Sequence, residues 1–330
     1  MKKNVVAYRK LPADLTEDLK SRYNVTAFDR ITDENRAAFL TAFAEAHGSI
    51  GATEKLTPEM IESAKNLEII ATISVGYDAY DVPALTGRDI MIANTPGVLT
   101  ETTADMVFTL VLATARRVVE VAEYVKSGKW TANLGEDMFG IDVSGKTIGV
   151  FGMGRIGTAV ARRAVAGFGM KLIYNDFSRS DIAEKEYGAQ FVDKDELLRT
   201  ADFVCITLPL SDQTRHMIST GEFDLMKPSA ILINGARGPI VDEEALIEAL
   251  RAKKIRAAGL DVFSQEPLPV TSPLLSFPNV TALPHIGSAT LETRRKMAER
   301  AVENLIAGLD GKKPPYLINT EVWDRKQQGK

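Results

Sequence analysis

The chain has 330 residues, a formal net charge of −4, and 45% hydrophobic and 25% charged residues, an ordinary soluble composition on a length that calls for two domains. The charge balance gives no electrostatic reason to expect nucleic acid or an anionic membrane surface. The lone Cys205 excludes an internal disulfide and reads as a buried thiol from a reducing compartment, no apolar stretch is long enough to cross a bilayer, and the first ten residues are too weakly apolar for a signal peptide, so a cytoplasmic protein without a metal site is expected.

Short β-rich runs alternate with helical patterns from the start. Residues 5–8, 24–28 and 69–74 read as strands, and 16–22, 33–46 and 58–65 as helices. Such alternation predicts parallel sheet built from βα units. A long pattern over 104–127 predicts one helix, with apolar residues nearly continuous through Ala115, so it should be buried on most faces. Residues 147–151 then form an apolar strand that runs into G-x-G-x-x-G, at Gly152, Gly154 and Gly157, and on into an amphipathic helix. That is the setting in which glycines cradle a dinucleotide: the first for a tight turn, the second for close approach of a pyrophosphate, the third for helix–strand packing. The helix N-terminus offers its free N–H groups to the phosphates, and Arg155 stands beside them. Further strands are expected at 171–175, 202–208, 230–234, 255–262 and 280–283, with helices at 182–187, 196–200, 221–226 and 243–252. About six strands in this order make a doubly wound sheet. A last helix begins after Ser288 and is expected to return to the N-terminal domain, and the polar tail, 327–330, should fray.

The residues after the second strand bear on the coenzyme. Asn175 stands where an acid would repel a 2′-phosphate, and Ser178 with Arg179 would hold one; Asp176 argues for NAD(H) if it points inward. The balance favours NADP(H). Of the three histidines, His47 reads as a helix C-terminal cap and His216 as a solvated loop residue. His285 lies at the mouth of the last strand, Arg237 follows the 230–234 strand, and Glu266 follows the 255–262 strand. Strand ends are where open α/β sheets bind ligands. Reduction of a 2-oxo acid needs a fork for the carboxylate, an imidazolium to protonate the carbonyl oxygen, and a carboxylate to orient that imidazole. Arg237, His285 and Glu266 supply all three.

GMGRIG, NGARGPIVDEEAL, GLDVFSQEPL and ALPHIGSAT together resemble the D-isomer-specific 2-hydroxyacid dehydrogenases. The resemblance implies two Rossmann-like α/β domains: a nucleotide-binding domain (101–287) inserted into a discontinuous, flavodoxin-like substrate domain (1–100 and 288–330). It implies an Arg237–Glu266–His285 active site. It implies that Asp261 holds the nicotinamide carboxamide and that the backbone of Ser74, Val75 and Gly76 binds the substrate carboxylate. Thr103 is a nicotinamide-side contact or a helix cap, and Ile156, Leu208, Pro209 and Gly287 complete the cofactor set. Within the family, TISVGYD, TARRVVEVAEYVKSGKW and PHIGSATLETR look like the bacterial glyoxylate/hydroxypyruvate reductases that also reduce 2-ketogluconate. The expected protein is thus an NAD(P)H-dependent reductase of small 2-oxo acids and a homodimer. Open alternatives are a phosphoglycerate or 2-keto-6-phosphogluconate type of dehydrogenase, or a non-catalytic NAD(H)-sensing binding protein.

Overall fold

The computed structural model describes residues 2–52 and 54–328. The chain divides into two compact units, the first running up to Leu99 and resuming at Thr290, the second being Thr100–Ala289. In chain order the first unit begins with β1 (Asn4–Ala7), α1 (Ala13–Arg22), β2 (Asn24–Ala27), α2 (Arg36–Ala44), β3 (Gly48–Gly51), α3 (Pro58–Ser63), β4 (Ile69–Thr72), α4 (Val82–Gly87) and β5 (Met91–Ala93). The second unit holds α5 (Thr100–Ala115), α6 (Val118–Lys126), β6 (Thr147–Phe151), α7 (Arg155–Arg162), β7 (Lys171–Asn175), α8 (Asp181–Tyr187), β8 (Gln190–Phe191), α9 (Lys194–Thr200), β9 (Phe203–Ile206), α10 (Thr220–Leu225), β10 (Ile231–Asn234), α11 (Glu243–Arg251), β11 (Ala257–Leu260) and β12 (Val280–Ala282). The first unit then closes with α12 (Leu291–Leu309) and α13 (Thr320–Gln328).

The first unit is built on a five-stranded parallel sheet, β2-β1-β3-β4-β5. Tyr8, Phe39, Phe43, Ile70, Leu85 and Ile92 lie in the core on one of its faces. The other face receives α12. A Cβ on Gly48 would stand 2.8 Å from Leu305 Cδ1, and one on Gly308 2.5 Å from Ile69 Cδ1, so small residues are what let helix and sheet meet. Gly48 and Ile69 open β3 and β4, whereas Leu305 and Gly308 close α12. The helix therefore runs antiparallel to the strands, and its first turn lies toward their carboxyl ends. Sequence patterning missed β3, whose GSIG carries a single large apolar side chain, and the three-residue β5.

The second unit has a seven-stranded parallel sheet, β12-β11-β10-β9-β6-β7-β8. The expected strands are present, and the short β8 joins them as an edge. The single helix expected over 104–127 is two helices. Arg117 adopts a left-handed backbone (φ 53°), where its guanidinium holds Glu120 at 2.7 Å, and Ile141 N–H caps the Ala115 carbonyl. α5 is buried as expected, packing on β10, β11 and α7, but α6 has no buried residue. Of the tail, Gln327 and Gln328 belong to α13, and residues 329–330 lie outside the described residues.

Candidate active site

The glycine loop is built as its spacing implies. Gly152 has φ +93°, and a Cβ there would meet Leu208 N at 2.8 Å. At Gly157 a Cβ would stand 1.9 Å from the Gly152 carbonyl oxygen, so only glycine lets α7 start this close to the turn. Gly154 has nothing within 4 Å of its missing Cβ and is exposed at the N-cap of α7. Two glycines thus close the turn, and the third leaves a bare backbone facing outward, which is what a pyrophosphate requires. Thr207 Oγ1 donates to the Gly152 carbonyl at 2.6 Å, which ties the end of β9 and the buried Leu208 to the loop. Arg155 and Pro209 are exposed and Ile156 partly buried on this rim.

At the end of β7 the side chains take partners that the sequence did not announce. Asp176 turns inward: one carboxylate oxygen accepts Met153 N–H at 2.6 Å and the other Phe177 N–H at 2.7 Å. Asn175 points away, its amide donating to Val192 O at 2.8 Å, so it steadies β8 and does not face a ribose. Arg179 makes a two-pronged pair with Glu184 (3.0 and 2.9 Å) and lies over the Phe191 ring, while Ser178 is exposed.

Three strand ends deliver the catalytic candidates. His285 follows β12 with φ 53°, a left-handed conformation that an L residue takes only when its surroundings impose it. Asp261, buried at the end of β11, imposes it: its oxygens accept Ile286 N–H at 2.8 Å and Gly287 N–H at 2.9 Å. Burial pushes the Asp261 carboxyl up, and these N–H groups oppose that shift. A Cβ on Gly287 would touch Asp261 Oδ2 and Thr103 Cγ2, both at 3.3 Å, so Thr103, Asp261 and Gly287 form one tight cluster.

Glu266 joins two of the strand ends. Its Oε2 lies 2.7 Å from His285 Nδ1, and its Oε1 accepts Phe263 N–H at 3.0 Å. Burial raises the Glu266 carboxyl, but the His285 hydrogen bond, the Phe263 N–H and the charges of His285 and Arg237 together hold it below the ordinary value of 4.5. It is therefore a carboxylate at neutral pH, and it leaves His285 Nε2 as the outward ring nitrogen. Arg237 ends the turn after β10. Buried Asn234 fixes that turn, donating to Arg237 O at 3.0 Å and accepting from Ala236 N–H at 3.1 Å. Next to it, a Cβ on Gly238 would stand 1.9 Å from the Phe263 carbonyl carbon, so the Arg237 and Glu266 turns touch backbone to backbone. Sequence reasoning missed Asn234 and Gly238. Their signal was present in N-G-A-R-G, where an amide and a glycine flank the arginine.

The other histidines are elsewhere. His47 Nδ1 accepts Asn4 N–H at 3.1 Å, which makes it a β1 partner and corrects the expected helix cap, because α2 has already ended at Ala44. His216 is exposed. In the first unit, Ser74, Val75 and Gly76 follow β4 as a partly buried loop. Ser74 Oγ donates to Gly76 O at 2.6 Å, and buried Asn94 donates to Val75 O at 2.8 Å; these bonds hold the two carbonyls.

Residues 108–287 match the family model for the D-isomer specific 2-hydroxyacid dehydrogenase, NAD binding domain. The chain is 53% identical over 322 residues to glyoxylate/hydroxypyruvate reductase B of Serratia proteamaculans (strain 568), covering 98% of this chain and 99% of that protein. Among solved structures it resembles the TT0316 protein of Thermus thermophilus (42% identity, TM-score 0.87, 95% and 99% of the two chains). It also resembles an NADPH-dependent glyoxylate/hydroxypyruvate reductase of Sinorhizobium meliloti in complex with NADP and malonate (30% identity, TM-score 0.83, 96% and 97%). The chain belongs to the D-isomer specific 2-hydroxyacid dehydrogenase family and is an NAD(P)-dependent oxidoreductase.

Proposed function

We propose that the protein reduces small 2-oxo acids, with glyoxylate, hydroxypyruvate and 2-keto-D-gluconate as leading substrates, to D-2-hydroxy acids in the cytoplasm. The observation that carries this reading is the 2.7 Å His285–Glu266 pair beside Arg237, on turns anchored by Asp261 and Asn234. His285 donates the proton to the carbonyl oxygen from Nε2, Glu266 orients and stabilises the imidazolium, and Arg237 binds the carboxylate and carbonyl end. The N–H groups of the Ser74–Gly76 loop take a carboxylate. Bound NAD(P)H supplies the hydride. The open backbone at Gly154 receives its pyrophosphate beside Arg155 and Ile156, Leu208 and Pro209 line the loop, and Thr103, Asp261 and Gly287 receive the carboxamide side of the nicotinamide. The family membership and the reductase names borne by its relatives support the substrates. Steady-state assays of the three acids with NADPH and with NADH test the reading. Turnover of glyoxylate and hydroxypyruvate is expected, and a purified, folded protein that oxidises neither coenzyme with any of the three removes it.

NADP(H) is the proposed coenzyme. The inward Asp176 by itself argues for NAD(H); what favours NADP(H) is that β7 ends on Asn175 rather than an acid, and that Ser178 and Arg179 stand on the exposed lip. The Arg179–Glu184 pair is a surface ion pair, which contributes little and yields readily to a phosphate dianion. Arg179→Ala should lower kcat/KM for NADPH by about tenfold and leave that for NADH near the parent value. An unchanged ratio of the two would show that Arg179 reads no 2′-phosphate.

A homodimer completes the reading. Val118, Val119 and Val125 of α6, with Trp130 and Phe139 beyond it, are exposed, and apolar groups gathered so closely along a chain rarely remain in water. Sedimentation should report twice the 36.0 kDa chain mass. A species of single-chain mass across the concentration range would contradict it.

A further inference from the structure

Arg9 and Arg294, both in the first unit, are partly buried and carry no acidic partner among the described residues. Their immediate neighbours do. Lys10 Nζ lies 4.0 Å from Asp29, and Arg295 holds Asp14 at 2.7 Å and Glu299 at 2.8 Å. Burial pushes the Arg294 guanidinium below its ordinary value, and the like charge of Arg9 pushes it the same way. The Arg295–Asp14 pair ties the first turn of α12 to the segment that follows β1, so Arg9 and Arg294 are cations on adjoining segments without an acidic partner among the described residues, and an anion between them would relieve their repulsion. Topology places both on one rim. Arg9 follows the carboxyl end of β1, which stops at Ala7, and Arg294 lies in the first turn of α12, the end of that helix that lies toward the strands' carboxyl ends. The same rim carries Ser74–Gly76 after β4, and strand carboxyl ends are where such sheets bind ligands.

We propose that Arg9 and Arg294 form an anion subsite on this rim that takes the distal acidic group, carboxylate or phosphate, of a dianionic 2-oxo acid. This rests on the reading that the Ser74–Gly76 loop binds the substrate's own carboxylate. Two guanidinium forks suit either anion, because each offers paired N–H donors to two oxygens. The test compares kcat/KM for hydroxypyruvate, 3-phosphohydroxypyruvate and oxaloacetate in the parent, Arg9→Gln and Arg294→Gln. The parent should turn over at least one dianionic acid, and which one identifies phosphate or carboxylate as the preferred group. In each variant the ratio of that acid to hydroxypyruvate should fall by roughly tenfold or more, the loss expected when a charged group loses its hydrogen-bonding partner. Arg9→Lys and Arg294→Lys, which keep the charge, should recover part of it. A ratio unchanged within about twofold in both variants overturns the proposal, as does a parent that reduces hydroxypyruvate but neither dianion. A parent that does not reduce hydroxypyruvate at all overturns the functional reading instead, and the subsite with it.

Discussion

His285→Ala should lower kcat for 2-oxo acid reduction by about two to four powers of ten, the usual contribution of a positioned general acid. Coenzyme affinity, read by fluorescence titration with NADPH, should stay near the parent value, because the glycine loop and its ties to Thr207 and Asp176 do not involve His285. Glu266→Gln separates orientation from charge. The amide can still accept the Phe263 N–H that the carboxylate accepts at 3.0 Å, so the turn should survive. The neutral amide gives the protonated imidazole no ion-pair partner, and reduction needs that protonated form. Glu266→Gln should therefore lower kcat for 2-oxo acid reduction at neutral pH by about tenfold, the loss expected when a charged group loses its hydrogen-bonding partner. At the acid end, Glu266 is held below 4.5, so the pair stays intact down to pH values under that of an ordinary glutamate. Near-parent turnover in His285→Ala would remove the proton-donor assignment, and near-parent turnover in Glu266→Gln would remove the role given to the carboxylate.

The parts of the site that were legible in the sequence are those where chemistry and position coincide. Glycines at a strand-to-helix turn announce a tight loop because no other residue tolerates φ +93° at Gly152 or the close approach at Gly157. Arg237, Glu266 and His285 were legible because each ends an apolar run, and a parallel sheet brings such ends to one rim. What stayed hidden depends on partners distant in sequence. Asp261 reads as a strand-end acid, but its engagement with Ile286 and Gly287, 25 and 26 residues on, appears only when β11 and β12 pair. Asn175 read as a strand end that does not repel a 2′-phosphate, and Arg179 as free to hold one, until Val192 and Glu184 came beside them. The break at Arg117 was invisible for a related reason: apolar periodicity ran on through it, and its cause is a local Arg117–Glu120 pair with a cap from Ile141. β3 escaped because its glycines serve close packing, Gly48 against α12 and Gly51 against Tyr8, not strand propensity.

Gly238→Ala should lower kcat/KM about a hundredfold without touching a reacting group, since displacing a catalytic group by about 1 Å is enough for such a loss. The added methyl would stand 1.9 Å from the Phe263 carbonyl carbon and 2.0 Å from its oxygen, and backbone atoms cannot rotate away as a side chain can. The turn of Arg237 and the turn of Glu266 must therefore separate. That movement strains the Asn234 bond to Arg237 O and the Phe263 N–H bond that fixes Glu266, so the guanidinium and the His285 partner shift together. The loss should fall on the 2-oxo acid, with NADPH affinity little changed. Gly154→Ala is the converse variant. Nothing lies within 4 Å of its new methyl, so the fold is undisturbed, yet the methyl projects from the bare backbone where the pyrophosphate is proposed to bind. Its loss should appear in the KM for NADPH. Thermal melts of the two proteins separate displacement from unfolding, because a folded Gly238→Ala with near-parent kcat/KM would show that contact between the two turns does not position the catalytic residues.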